Sequence, residues 1–351
     1  MLAPVIHVLP LTTLQRERVL PTSGRVVVRK GQRVSATDIV AEANLYPQHI
    51  MLSVTRGLGL SPKTAEKSIQ RIVGEKVSEG DVIAGPVGLA RRVVRAPCAG
   101  HIVWIQNGNV LLELDGSLFR LRAALPGVVA SVVAERGVVI ENTGAVVQGV
   151  WGNGQIDAGL LMVGIHKPDD DFKAEQLDIG MRGSVILGGY CEESSAIVMA
   201  AELPVRGLIL SSMSSSLIPI AEQMSFPIMI LEGFGRLPMN MVAYRLLTTS
   251  ERREVALNAE TFDRLLGRRP EVFIPLPSAG STNPPIEAVV FSLNQRVRVV
   301  SAPYHSKIGK LVALHTERQV FPNGMRASAA DVQLESGEIV LLPLANLEYL
   351  E

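Results

Sequence analysis

From Arg296 onward the chain alternates short apolar runs with chain breakers, at a spacing that suits a small and strongly bent sheet. The run Arg296-Val-Arg-Val-Val-Ser-Ala-Pro303-Tyr-His-Ser-Lys-Ile-Gly309-Lys-Leu-Val-Ala-Leu314 is followed by a polar excursion. Asp331-Val-Gln-Leu-Glu-Ser336-Gly337-Glu-Ile-Val-Leu-Leu-Pro-Leu-Ala-Asn-Leu-Glu348 then resumes the pattern. Breaks at Pro303, Gly309 and Ser336-Gly337 separate strands, and Gly309 falls where a side chain would clash with a neighbouring strand. A small β-barrel is expected here.

The first third contains an internal repeat. Gly31-Gln-Arg-Val-Ser-Ala-Thr-Asp-Ile-Val-Ala41 aligns with Gly74-Glu-Lys-Val-Ser-Glu-Gly-Asp-Val-Ile-Ala84, with Gly, Val, Ser, Asp and Ala in register. Each copy reads as a strand, a polar turn and a second short apolar strand. Between the copies, Ile50, Leu52, Val54, Leu58 and Leu60 precede Ser61-Pro62, a good N-cap and first helical position. A helical insertion over about 47–72 is the expectation. Residues 126–160, with two Val-rich segments around Glu135-Arg136-Gly137, extend the N-terminal β-rich region.

From about residue 160 the rhythm changes to short apolar strands alternating with segments of helical length. Strands over 184–189, 207–210 and 227–231 lead to helices over 192–203, 216–224 and 240–247, which specifies a parallel sheet with crossovers. Pro275-Leu-Pro277 and Asn283-Pro-Pro285 close this region as a stiff connector.

Length and composition suit a modular, fully folded chain. At 351 residues it is too long for one typical core, and 47% hydrophobic with 19% charged residues is far from the signature of disorder. Cys98 and Cys191 match no disulfide framework or zinc spacing, which suggests a reducing compartment, the cytoplasm. No apolar stretch reaches membrane-spanning length and Met1 to Pro10 lacks the features of a signal peptide, so no membrane role is expected. Lys and Arg exceed Asp and Glu before residue 125, the reverse holds over 126–290, and the remainder is balanced. Only the first third therefore has the excess expected of a surface that grips phosphate backbones.

These patterns carry resemblances. The C-terminal segment resembles the KOW motif of SH3-like barrels in NusG-type transcription factors and several ribosomal proteins. That resemblance implies binding rather than catalysis, through Pro303, Tyr304, His305, Lys307 and Lys310. The repeat, with Arg95-Ala-Pro-Cys-Ala-Gly-His-Ile-Val-Trp104, resembles the hammerhead turns of barrel-sandwich hybrid domains, the biotinyl and lipoyl carrier fold. Lys30 and Lys76 lie beside the turns rather than at a carrier tip, so no attached cofactor is expected. The order of modules resembles multi-domain proteins joining a barrel-sandwich region, a Rossmann-like domain and a terminal KOW-like barrel. The expected class is thus multi-domain α/β plus β. An N-terminal barrel-sandwich hybrid with helical insertion (1–125) and its extension (126–160) precede a central Rossmann-like parallel α/β domain (161–285) and a C-terminal SH3-like KOW barrel (291–351).

Chemistry is sparse. In a parallel sheet the loops after the strands converge on one crevice, which nominates Ser211, Ser212, Ser214 and Ser215 with Glu232, Gly233, Gly235 and Arg236 as a ligand site. Polar caps and a Glu–Arg pair bracing its own loop explain the same residues. Cys191 is flanked by Glu192 and Glu193, which oppose a thiolate. The six histidines show no ligand spacing, so no metal is expected. Arg91, Arg92 and Arg95, with Arg120 and Arg122 further on, offer a basic patch if they fall on alternating strand positions. The leading expectation is a non-enzymatic cytoplasmic binding or scaffold protein whose terminal barrel docks on a protein or nucleoprotein partner, with direct nucleic-acid binding left open. The competing expectation is a small-molecule sensor or enzyme using the central crevice.

Overall fold

The computed structural model describes residues 2–45, 49–114, 118–263, 267–277, 284–286 and 288–351. Strands make up 47% of the structure and helices 13%. This overturns the expected class: the chain is built mainly of sheets, without a Rossmann-like α/β domain or a helical insertion. Two compact units are present. The smaller comprises Leu20–Arg25 and Ala41–Leu121, and the larger takes the residues up to Val19, Val26–Val40 and Arg122–Glu351. The smaller unit is therefore an insertion in the sequence of the larger.

In the smaller unit the supposed helical insertion opens with a strand, His49–Ser53, hydrogen-bonded to Asn109–Leu114. Ile50 and Leu52 recur at the strand period, and so short an alternation running into Val54 looks like part of a helix. Only Val54–Leu58 and Pro62–Lys67 are helical, five and six residues long. Residues 47 and 48 of the expected insertion lie outside the described residues. The core gathers Val54, Leu58, Ile83, Ile102, Val110 and Leu112, all nearly free of solvent. At about 1.5–3 kcal/mol for each large apolar side chain, that burial is what holds so small a unit.

The internal repeat is real at the level of individual hydrogen bonds. In the first copy Gly31 N donates to Val129 O, Val129 N to Gln32 O and Ala123 N to Asp38 O. In the second, Gly74 N donates to Ile102 O, Ile102 N to Glu75 O and Ala96 N to Asp81 O. Each turn is closed by an aspartate that accepts a serine amide, Ser35 N to Asp38 at 2.8 Å and Ser78 N to Asp81 at 3.0 Å. The first copy belongs to the larger unit and the second to the smaller.

The larger unit is organised by an eleven-stranded mixed sheet. Ile156–Val163, Ser184–Cys191, Gly207–Met213 and Ile228–Phe234 run parallel as neighbours. Glu254–Asn258, Glu271–Pro275 and Gly137–Gln148 continue antiparallel from Ile156–Val163, and Val8–Val19 also pairs with Gly137–Gln148. The three parallel strands from Ser184–Cys191 on are buried on both faces: Val185, Leu187, Ile209 and Met229 enter one core, Ile186, Leu208, Leu210 and Ile228 the other. Burial on both sides explains why they read as continuous apolar runs. The helix expected over 216–224 shrinks to the turn Ser215–Leu217 and the four-residue helix Ile218–Ala221. A serine run followed by Pro219 supplies few helix-forming residues.

A six-stranded sheet follows in the same unit, in the order Val5–Ile6, Leu347–Leu350, Arg296–Val299, Ile308–Leu314, Ala329–Leu334 and Ile339–Pro343. Its core contains Val297, Val299, Leu311, Val332, Val340 and Leu347. A Cβ on Gly309 would lie 2.5 Å from Val332 Cγ1 and 2.7 Å from Gln333 O. Only glycine permits that approach of Ala329–Leu334. Asn283 of the expected Pro-rich connector lies outside the described residues. Among the described residues no helix is long and apolar enough to cross a membrane.

Candidate functional site

The carboxyl ends of the parallel strands are occupied by the protein's own C-terminal segment. Glu232, near the end of Ile228–Phe234, has a side chain with 0% exposure. Its Oε1 accepts from the Asn240 backbone N at 2.9 Å and from Asn240 Nδ2 at 2.6 Å. Asn240 in turn accepts from Ala243 N and caps the Met241–Thr248 helix. The other oxygen, Oε2, receives Arg298 Nη1 at 3.1 Å, and the same nitrogen donates to Leu231 O at 3.1 Å.

Arg298 is 2% exposed and ties a second carboxylate, Glu348, through Nη2 at 2.7 Å. Arg269 Nη2 meets the remaining oxygen of Glu348 at 2.8 Å, and its guanidinium lies 4.5 Å from the Phe262 ring centroid. Two carboxylates and two guanidinium groups thus alternate in a chain from Glu232 through Arg298 and Glu348 to Arg269. Burial alone would lower the Arg298 pKa, but Glu232 and Glu348 reverse this and hold it above the ordinary value. Burial likewise opposes ionisation of Glu348, and Arg298 with Arg269 nonetheless holds its carboxyl below the ordinary range.

The other expected crevice residues are also committed to local structure. Ser212 Oγ donates to Leu237 O at 2.9 Å and accepts from Leu237 N at 3.1 Å. Ser214 and Ser216 bond each other through their hydroxyls at 2.9 Å. Ser215 is exposed, and the buried Ser211 hydroxyl has no partner among the described residues. Gly233 adopts φ 146°, where a Cβ would stand 3.3 Å from His305 Cε1, and Gly235 adopts φ 92°. Arg236 pairs with Asp171 and lies 5.2 Å from the Tyr190 ring centroid. Glu232 and Arg236 therefore have different partners, one buried and one exposed, and do not brace each other. Cys191 is buried, which pushes its thiol up to about 12 and keeps it protonated at neutral pH. Among the described residues no group of three or more His, Cys, Asp or Glu side chains is placed to hold a metal ion.

Of the residues expected to contact a partner, two are bonded within the chain. His305 Nε2 lies 3.2 Å from the Glu232 carbonyl, and the Tyr304 hydroxyl donates to Glu338 at 3.0 Å. Pro303, Lys307 and Lys310 remain exposed. Lys310 stands directly across from Arg296 in the antiparallel register, and Gln333 flanks Lys310 on the next strand. These residues line an open groove of about 340 Å³ with Ile308, Leu334, Glu335 and Gly337. Arg296 and Gln333 were not expected as site residues. The Arg-Val-Arg-Val alternation does place Arg296 and Arg298 on one face, but only the register separates the exposed arginine from the buried one.

The basic patch is less regular than its spacing suggested. Arg91 sits in the turn at φ 46°, and register shifts interrupt the Arg92–Arg95 strand on both sides of Val94. Arg95 Nη1 is tied to Gly80 O at 2.7 Å. All three side chains are exposed. Compared with protein-family models and with curated proteins, the chain matches none.

Proposed function

We propose that the protein is a cytoplasmic binding or scaffold component whose KOW-like C-terminal segment docks a protein or nucleoprotein partner through the Arg296–Lys310 groove. The observation that carries this reading is the direct opposition of two exposed cations on neighbouring strands, with no carboxylate paired to either among the described residues. Like charges directly opposite each other weaken an antiparallel pair. An anionic group seated between them, an acidic side chain or a phosphate, would turn that repulsion into two charge-assisted hydrogen bonds. Gln333 adds a neutral donor and acceptor beside them, and Glu335 at the rim would bias the groove against an indiscriminate polyanion. Two free cysteines accord with a reducing compartment.

The test is affinity capture with the tagged full-length chain from lysate, with and without nuclease. A defined partner should be recovered by wild type and lost by the Arg296→Glu/Lys310→Glu variant. Survival after nuclease would identify a protein contact, and loss would identify nucleic acid. Recovery of the same partner by the charge-reversed variant would refute the reading.

A further inference from the structure

The outermost strand of the C-terminal sheet, Ile339–Pro343, has an open side. It pairs with Ala329–Leu334 in an unbroken register from Ala329 opposite Pro343 to Gln333 opposite Ile339. Just beyond its ends, Leu344 N donates to Ser328 O at 2.9 Å and Leu334 N donates to Glu338 O at 2.8 Å. Hydrogen-bonded pairs alternate along an antiparallel ladder. The backbones of Val340 and Leu342 therefore turn to the neighbouring strand, and those of Ile339, Leu341 and Pro343 turn outward. Among the described residues nothing bonds these outward groups. The side chains follow the same alternation: Val340 and Leu342 are buried, whereas Ile339 is 60% and Leu341 40% exposed. An open edge carrying apolar side chains is a template for another strand.

We propose that this edge is a self-association site, at which a second copy of the chain adds its own Ile339–Pro343 strand antiparallel about a two-fold axis through Leu341. In that register Leu341 faces Leu341 of the other copy and exchanges both main-chain hydrogen bonds. Ile339 faces Pro343 and donates to its carbonyl; proline, lacking an N–H, returns none. Every cross-strand pair is apolar. The antiparallel sense follows from charge: Glu335 and Glu338 precede the strand and would meet the far end of the partner strand. Parallel pairing would set Glu338 against Glu338. A two-fold contact uses the edge on both copies, so association stops at a dimer. So short a strand covers much less than a standard interface, which makes the dimer weak and reversible. This inference is independent of the groove reading, because Arg296 and Lys310 take no part in it.

Sedimentation velocity of the full-length chain over about a hundredfold concentration range tests it. The weight-average sedimentation coefficient of wild type should rise toward that of a dimer. Leu341→Lys and Leu341→Glu should each remain monomeric, since like charges then oppose each other on the axis. Their equimolar mixture should regain the rise, which also shows that both variants are folded. Three results would overturn the proposal. They are a wild type that stays monomeric across the range, association that survives both substitutions, and a mixture that fails to recover what each single variant loses.

Discussion

Replacing Arg298 by Met removes the cation that neutralises two carboxylates while keeping most of the buried volume. Glu232 then retains the two Asn240 donors but loses Arg298 from Oε2, in a side chain without solvent contact. Glu348 keeps Arg269. The cost is therefore chiefly that of one uncompensated buried charge, about 3–5 kcal/mol. Removing the charge as well, in Glu232→Gln/Arg298→Met, should recover much of it, because glutamine still accepts from Asn240 and neutral replacements of a buried pair are often tolerated. Equilibrium urea unfolding followed by Trp151 fluorescence reports on this, since Trp151 stacks edge-on to Phe234 in the same unit at 6.0 Å. A Trp104→Phe background silences the other unit. A loss below about 1 kcal/mol, or a double variant no more stable than the single, would refute the reasoning.

Further outcomes follow from the same geometry. Gly309→Ala should cost about 1–3 kcal/mol in the same unfolding assay, because its Cβ meets the backbone of Gln333 and cannot be relieved by a side-chain rotation. Burial lowers the His7 pKa against the opposing Ile286 carbonyl and Glu351. Its contribution to stability is then present above the unfolded histidine value and lost as pH falls below it, and His7→Asn should flatten the acid limb of a stability–pH curve. An alkylating reagent should label Cys98 in the native chain and reach Cys191 only after denaturation, which peptide mass spectrometry reads directly. A metabolite panel should leave the melting temperature unchanged; a rise abolished by Arg236→Ala would instead favour a ligand site at the strand ends.

The parts of the molecule written in local pattern were legible. The apolar runs at 184–189, 207–210 and 227–231 do form neighbouring parallel strands, because burial on both faces leaves no polar positions to obscure them. The Ser–Asp turns of the repeat could be seen because their hydrogen bonds close within four residues. Ile50 and Leu52 misled because apolar residues at period two, running into true helix starts at Val54 and at Ser61-Pro62, look like one element. Class failed for a different reason. That Gly137–Gln148 joins Val8–Val19 to Glu271–Pro275, merging separate runs into one mixed sheet, is a matter of register between distant segments. Local periodicity carries no record of it. The same distance concealed the site: Glu232 and Arg298 are 66 positions apart, and Glu232-Gly-Phe-Gly-Arg236 offered a nearer but incorrect partner.

Those strand ends are held by Arg298 and His305, and the proposed contact surface is the exposed pair Arg296 and Lys310 further along the same sheet. Hydrogen–deuterium exchange on the captured complex tests this most directly. Slowed exchange should fall on Arg296–Val299 and Ile308–Leu314, with the loops at Ser211–Ser216 and Glu232–Arg236 unchanged. Protection confined to those loops, with the Arg296–Lys310 strands exchanging as in the free chain, would contradict the account.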